Sequence, residues 1–246
     1  MKKIYLLNDY VTSKNTLIKI EEQLTKNYND YEIISIDYSN YYQETEIENI
    51  NLNSVIDFFS NYLNNNIDDS DILVGIGLSA RILKNFKSNQ RIYVNPIIYN
   101  NLCNVFCAKT KCFENKIEQF KIYLNWFVNI DTINFEEEYE WYSKHYSKII
   151  KLTEVINQYE LLKSLKNDDI NLFSNNCKVS ISLDDEVILP NALKKYLNKN
   201  KKKLEKYLIK KEKKSKKYLN KKKLEKYLNK EKTFFDVCVY SHPSTK

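Results

Sequence analysis

Residues 71–80 read Asp71-Ile-Leu-Val-Gly75-Ile-Gly77-Leu-Ser79-Ala80, and they contain both of the glycines in the 246-residue chain. At average usage a chain of this length would hold about seventeen glycines. Glycine adopts positive φ angles and lets two stretches of backbone approach closely without a Cβ clash. Two glycines at the end of an apolar run therefore indicate a sharp turn. A strand, then Gly-x-turn residue-x-small residue, then a helix is the layout of a nucleophile elbow.

Short apolar runs alternate with helical patterns in the rest of the chain, which predicts a mostly parallel sheet with helices on its faces. The strands are nearly continuous Ile, Val and Leu, as in sheets that are covered on both sides. We predict strands at 3–7, 32–37, 72–75, 91–94, 178–183 and 235–240. We predict helices at 16–26, 53–64, 79–86, 113–128, 136–165 (with a break) and from 190 onward. The sequence thus predicts a single α/β domain of three layers over residues 1–246.

The segment 96–176 has helical patterns and no convincing strand, so we predict a helical insertion there. In an α/β sheet, an insertion after a strand can form a cap over the carboxyl ends of the strands, where ligands bind. The same helices would otherwise only add packing to the domain. Both interpretations are compatible with the sequence.

A lysine-rich segment at 194–232 supplies all of the positive excess of the chain. It holds nineteen Lys and four Glu, whereas the whole chain has a net charge of +7, so the remainder is net acidic. The octapeptide Lys-Lys-Lys-Leu-Glu-Lys-Tyr-Leu occurs at 201–208 and again at 221–228. Three interpretations compete: a solvated helical extension, a patch that contacts nucleic acid or anionic membrane nonspecifically, and a partner-binding coil. We favour the solvated extension because the segment has no arginine and no fold that reads bases.

The sequence predicts a cytoplasmic protein without a cofactor. The apolar stretch at 4–7 is too short for a signal peptide, and the longest uncharged stretch, 92–108, contains Pro96 and four asparagines, so it is no membrane span. Cys103, Cys107 and Cys112 have a spacing that suggests metal ligands, but no second Cys pair or histidine lies nearby in the sequence. We therefore interpret the cysteines as reduced, buried side chains and expect no metal.

Three chemical groups follow predicted strands in the order nucleophile turn, acid, histidine. The turn is at 75–79, the acid is in Asp184-Asp185-Glu186, and the histidine is His242. In α/β-hydrolases, which have this chain order, the imidazole takes the proton of the nucleophile and the carboxylate fixes the tautomer of the imidazole. His145 lies in an aromatic-rich helical stretch, and we interpret it as a packed or solvent-facing residue.

Five motifs carry a resemblance to a known family. They are Lys3–Tyr10 with Thr12-Ser13, Ile72–Ala80, Val94-Asn-Pro96, Asp185-Glu-Val187 and Tyr240-Ser-His242. Together they resemble the small YqiA-type esterases, within the α/β-hydrolase superfamily. In the same order, the corresponding features of that family are its opening strand and His-Gly-Phe loop, its Val-Gly-x-Ser-Leu-Gly-Gly elbow, its Val-Asn-Pro, its Asp-Glu-Val and its terminal histidine. The resemblance covers most of the chain outside the lysine-rich segment. It implies hydrolysis of small acyl esters or thioesters, with Asp185 and His242 as the acid–base pair.

The elbow departs from the pattern of the family in either register. With Val74-Gly75 aligned on the Val-Gly of the family, the position of the nucleophile falls on Gly77, and Ser79 takes a small-residue position. The other register makes Ser79 the nucleophile but puts Arg81 where close packing of strand and helix needs a tiny side chain. We favour the first register, because glycine relaxes the strained backbone of an elbow.

The loop at Asn8-Asp9 also departs from the His-Gly of the family. A carboxylate beside a developing oxyanion opposes it, whereas the reaction needs hydrogen-bond donors there. Two hypotheses follow. The chain is an esterase-like hydrolase, with Ser79 as the only serine close enough in sequence to attack, or it is a noncatalytic pseudo-enzyme that holds a partner through its cleft or its basic segment.

We expect deletion of 198–230 to reduce retention on a heparin column if the lysine-rich segment contacts polyanions. Binding of the full chain to nucleic acid would then weaken steeply as salt rises, because counterion release drives such binding. Retention that does not change after the deletion would exclude the polyanion interpretation.

Overall fold

A computed structural model describes residues 2–86, 88, 90–96, 120, 134–164, 177–182 and 236–240. Six strands form one sheet in the order β2-β1-β3-β4-β5-β6, and each neighbouring pair is parallel. The strands are β1 (Lys2–Leu7), β2 (Tyr31–Ile36), β3 (Ile72–Ile76), β4 (Gln90–Val94), β5 (Cys177–Ser182) and β6 (Asp236–Tyr240). All six predicted strands are confirmed, and their bounds differ from the prediction by one residue at most.

The described helices are α1 (Ile18–Asn27), α2 (Ser39–Glu44), α3 (Leu52–Asn64), α4 (Leu78–Ile82) and α5 (Phe135–Ser164). Short 3-10 segments lie at Lys14–Leu17, Ile47–Asn49 and Leu83–Asn85. A capping box between Asn51 and Ser54 begins α3. Val55, Phe59 and Leu63 recur every four residues in this helix and are buried, so they form the face that packs on the core.

The two faces of the sheet carry different cores, because successive side chains of a strand point in opposite directions. Ile4, Leu6, Ile72 and Val74 pack with Leu17 and Leu24, on and just before α1. Tyr5, Leu7, Leu73, Tyr93 and Val179 belong to the larger core, which also takes in buried residues of α2, α3, α4 and α5. The sheet therefore lies between two helical layers, and the predicted three-layer α/β class is confirmed.

Helix α5 is continuous over 30 residues, so the predicted break is wrong. The stretch contains neither Gly nor Pro, which are the usual causes of a break. Tyr142, Ile149, Leu152 and Ile156 are buried on one side of the helix. This apolar stripe packs on α2, α3 and the Ile47–Asn49 turn, and the packing stabilises a long helix that has a polar outer face.

Helix α2 was not predicted. Its sequence, Ser-Asn-Tyr-Tyr-Gln-Glu, is too short to show a helical period, but Tyr41 and Tyr42 are buried in the larger core. Apart from Phe120, the predicted helix at 113–128 lies outside the described residues, as do the helix from 190 onward and the lysine-rich segment 194–232. Within the described part of the chain, no helix combines the length and apolar character needed to cross a membrane.

We expect Asp71→Ala to lower the free energy of unfolding by about 1–3 kcal/mol. Asp71 lies just before β3 and is buried; Oδ1 accepts a hydrogen bond from the Lys3 N–H at 2.8 Å and Oδ2 one from the Asp68 N–H at 2.9 Å. The substitution leaves both donors without this acceptor. The exposed neighbour Asp69 supplies the control: Asp69→Ala should change stability by no more than about 0.5 kcal/mol. Equal denaturation midpoints for the two variants would contradict the role of Asp71.

Candidate functional site

The sharp turn after β3 depends on both glycines, as the sequence predicts. Gly77 has φ 58° and ψ −116°, in a region that L side chains rarely adopt. Its N–H donates to the carbonyl of Val94 at 3.0 Å, which anchors the turn to the end of β4. A Cβ on Gly75 would lie 2.7 Å from Ser79 and Ala80 backbone atoms. Gly75 therefore lets α4 fold back closely over the strand.

The loop after β1 lies beside this turn, because β1 pairs with β3 and Leu7 is opposite Gly75. The side chain of Asn8 organises the loop. Its Nδ2 donates to the carbonyls of Thr12, at 3.1 Å, and Ser13, and its Oδ1 accepts from the Asp9 N–H at 2.8 Å. The loop is thus folded on itself at the carboxyl edge of the sheet.

The carboxylate of Asp9 occupies the place of a side chain on residue 77. A Cβ built on Gly77 would overlap this carboxylate, and even the third nearest atom, Asp9 Oδ1, would be 2.7 Å away. The same oxygen accepts hydrogen bonds from the backbone N–H of Tyr10 at 2.7 Å and of Leu78 at 3.3 Å. Asp9 is 6% exposed, so its carboxyl group lies inside the protein, and these two N–H groups are among its partners.

Solved structures resemble this arrangement of strands and helices. A probable hydrolytic enzyme from Pseudomonas aeruginosa PAO1 is similar with a TM-score of 0.54 and 9% identity, over 98% of this chain and 78% of the other. An α/β-hydrolase enzyme from a Medee basin deep-sea metagenome library gives 0.51 and 12%, over 98% and 81%. A lipase-esterase related protein from Clostridium acetobutylicum ATCC 824 gives 0.51 and 13%, over 97% and 85%.

The chain has the α/β-hydrolase fold. At 9–13% identity these likenesses establish the fold alone. No protein-family model matches the sequence, and no curated protein is significantly similar to it.

Ser79 points into the protein and is fully buried in the first turn of α4. Its hydroxyl donates to the carbonyl of Asn8 at 2.5 Å and lies 3.0 Å from the hydroxyl of Tyr38. Burial raises the pKa of Tyr38 far above its usual value, and the charge of Asp9 raises it further. Tyr38 therefore stays protonated, and because the Ser79 hydroxyl donates to the Asn8 carbonyl, the Tyr38 hydroxyl is the donor in its hydrogen bond with Ser79. The Ser79 hydroxyl joins the β1 loop, α4 and the residue before α2.

Helix α5 packs against the carboxyl edge of the sheet, beside the β1 loop. Glu138, which is 1% exposed, accepts hydrogen bonds from the N–H of Ser13 at 3.2 Å and from the Ser13 hydroxyl. Trp141 Nε1 donates to Ser39 Oγ at 2.8 Å. Because Ser13 lies in the loop after β1 and Ser39 begins α2 just after β2, α5 contacts the chain at the carboxyl ends of both strands.

His145 is packed between aromatic rings. Its ring centroid lies 5.3 Å from that of Tyr42 and 5.2 Å from that of Trp141, and the residue is 4% exposed. Burial lowers the pKa of His145, and the positive charge of Lys144 lowers it further. This agrees with the interpretation of His145 as a packed residue.

The structure brings together five of the seven predicted site residues: Gly75, Gly77, Asn8, Asp9 and Ser79. The other two, Asp185 and His242, lie outside the described residues. They follow the last residues of β5 and β6 by three and two positions.

The described side chains contain no group of three His, Cys, Asp or Glu residues that could hold a metal ion. Cys103, Cys107 and Cys112 lie outside the part of the chain that this search covers. The interpretation of these cysteines as reduced, buried side chains therefore stays a prediction.

The sequence did not predict the contact between Asp9 and Gly77. The signal was present in two parts, an acid in the β1 loop and a glycine at the apex of the turn. They become one feature only when the pairing of β1 with β3 is known. The link from Glu138 to Ser13 was also missed, because 125 residues separate the two.

We expect Gly75→Ala to lower the free energy of unfolding by about 1–3 kcal/mol. The new Cβ would meet main-chain atoms of Ser79 and Ala80 at 2.7 Å, and main chain relieves such a contact only if α4 shifts. Chemical denaturation measures the change. A midpoint equal to that of the unmodified protein would mean that α4 does not need a glycine at this position.

Proposed function

We propose that this chain is a noncatalytic relative of the α/β-hydrolases, a pseudo-enzyme that keeps the fold as a binding protein. The observation that carries the proposal is the position of the Asp9 carboxylate, which fills the space of a side chain on Gly77. An esterase of this fold needs a nucleophilic side chain at that position, and the carboxylate leaves no room for one.

The fold assigns a role to each part of the turn. The nucleophile stands at the strand-to-helix turn, and the oxyanion is bound by the N–H of the next residue and by an N–H from a strand–helix loop. We assign these positions to Gly77, Leu78 and Tyr10. Gly77 has no hydroxyl, and both N–H groups already donate to Asp9 Oδ1. A fixed negative charge there opposes the charge that develops during ester hydrolysis.

Ser79 does not replace the missing hydroxyl in this proposal. Its proton is donated to the Asn8 carbonyl, its oxygen accepts from Tyr38, and its side chain is fully buried. A nucleophile must instead face substrate and pass its proton to a base. This arrangement supports the register in which Gly77 has the nucleophile position.

The likeness to YqiA-type esterases is part of the proposal. In this view Asp185 and His242 are the remaining acid–base pair of an ancestor that hydrolysed small acyl esters or thioesters. The contacts of α5 with Ser13 and Ser39 support a cap role for this part of the insertion, because they lie at the edge where ligands of α/β sheets bind. A partner held by the chain would meet this edge.

We expect the unmodified protein to hydrolyse p-nitrophenyl butyrate no faster than the background, because no nucleophile is available. Ser79→Ala should leave that rate unchanged and lower the free energy of unfolding by about 1–3 kcal/mol, because the Asn8 carbonyl and the Tyr38 hydroxyl lose a shared partner. The assay measures the rate and a thermal melt measures stability. Turnover above background that disappears in a folded Ser79→Ala protein would establish the esterase hypothesis instead.

A further inference from the structure

We propose that Asp9 is an internal ligand, whose carboxylate closes a site for small carboxylic acids formed by the backbone N–H groups of Tyr10 and Leu78. This inference rests on the noncatalytic function proposed above and names the class of ligand for the centre formed by Asp9, Tyr10, Gly77 and Leu78. At rest the chain occupies its own site, and a free acid enters only when the loop after β1 moves Asp9 out.

Donors from two separate parts of the chain converge on Asp9. The N–H of Tyr10 belongs to the β1 loop, whereas the N–H of Leu78 follows the turn after β3, 69 residues from Asp9. Both donate to one oxygen, Asp9 Oδ1. Hydrogen bonds from N–H groups to a carboxylate are about twice as strong as those between neutral groups. Two N–H groups that converge on one oxygen therefore favour an anionic oxygen, such as that of a carboxylate.

Steric exclusion links Asp9 to the residue type at position 77. A side chain on residue 77 and the carboxylate of Asp9 cannot be present together, because even a Cβ on Gly77 would overlap the carboxylate. Gly77 thus provides the space that Asp9 fills. A buried charge is tolerated only where it is paired and hydrogen-bonded, and the two N–H groups contribute to this pairing.

The residues that donate to Asp9 have side chains in the larger hydrophobic core, together with Tyr38. Leu78, Tyr10 and Tyr38 are 1% exposed or less, and the Tyr42 hydroxyl donates to the carbonyl of Tyr10. These side chains are aliphatic and aromatic, and they suit a short hydrocarbon chain next to a carboxylate. We therefore choose butyrate as the probe.

A buried contact from α5 holds the loop that carries Asp9. Glu138 of α5 is buried and binds both the N–H and the hydroxyl of Ser13. Ser13 in turn accepts from Asn8, the residue before Asp9, and the Thr12 N–H donates to the Asp9 carbonyl at 3.2 Å. A displacement of α5 would release Ser13 and with it the loop that carries Asp9.

Titration of the full chain with sodium butyrate in a calorimeter tests the internal ligand. We expect Asp9→Gly to bind butyrate at least about tenfold more tightly than the unmodified protein, because the two N–H groups lose their occupant. Asp9→Asn should lie between the two, since the amide fills the space without the charge. Equal affinity in the unmodified protein and in a folded Asp9→Gly protein would overturn the proposal.

The contact of Glu138 with Ser13, which we call the clamp, is tested by a second pair of variants. Glu138→Gln weakens the hold on Ser13 and should also raise the affinity for butyrate, although Asp9, Tyr10, Gly77 and Leu78 themselves are not substituted. Glu137→Gln, an exposed change of the same charge in the same helix, should leave the affinity unchanged. If Asp9→Gly does not fold, Glu138→Gln carries the binding test. Affinities equal to that of the unmodified protein in both helix variants would overturn the clamp and, where Asp9→Gly does not fold, the internal ligand as well.

A double-mutant cycle separates this inference from the proposed function. Gly77→Ala strains the backbone at φ 58° with or without Asp9, so this cost cancels in the cycle. The overlap with the carboxylate does not cancel. We expect Gly77→Ala to lower the Tm at least about twice as much in the unmodified chain as in the Asp9→Gly background. Equal losses of Tm in the two backgrounds would overturn the placement of the Asp9 carboxylate beside Gly77. Hydrolysis of p-nitrophenyl butyrate by the unmodified protein would instead overturn the noncatalytic function, and it would not change the result of the cycle.

Discussion

The hydrogen bond from the Leu78 N–H to Asp9 Oδ1 ties two loops together at the middle of the carboxyl edge. It connects the loop after β1 to the turn after β3, on neighbouring strands of the sheet. Because Asp9 is buried, its carboxylate must be paired where it lies. Residue 77 must then be free of a side chain. One contact thus determines the path of the β1 loop, the residue at the apex of the turn and the chemistry that remains possible there.

Around this contact the edge forms a connected polar network. The Ser79 hydroxyl is hydrogen-bonded to the Asn8 carbonyl and to the Tyr38 hydroxyl. The Asn8 amide donates to the Ser13 carbonyl, and the Ser13 hydroxyl donates to Glu138 of α5. Buried networks of this kind hold one arrangement when their members are satisfied. An active site for acyl transfer instead needs a hydroxyl that faces the substrate and N–H donors that are not occupied by another acceptor before the oxyanion forms. The described polar groups of this edge are hydrogen-bonded to one another, and this is the basis on which we propose a noncatalytic function.

The parts of the fold that were predictable depend on local pattern. Strands such as β3 are buried on both faces, so their apolar runs mark their bounds within one residue. Helix α2 was missed because Ser39–Glu44 is too short to show a period, and its helix is stabilised by the burial of Tyr41 and Tyr42. The Asp9 contact was not predictable from local pattern, because it depends on the placement of Leu7 opposite Gly75 in neighbouring strands.

The shape of the turn has a structural cause that is independent of catalysis. Gly75 lies in β3 against the backbone of Ser79 and Ala80, so α4 packs on the strand only if the chain reverses within residues 76–78. That reversal requires a positive φ at Gly77, with or without a nucleophile. Strain of this kind costs about 1–3 kcal/mol for a residue with a side chain, and glycine avoids most of it. Glycine at the apex therefore relieves strain, leaves the strand–helix packing unchanged and opens the space that Asp9 fills. The turn persists because the sheet needs it, and its geometry alone is not evidence of a hydrolase.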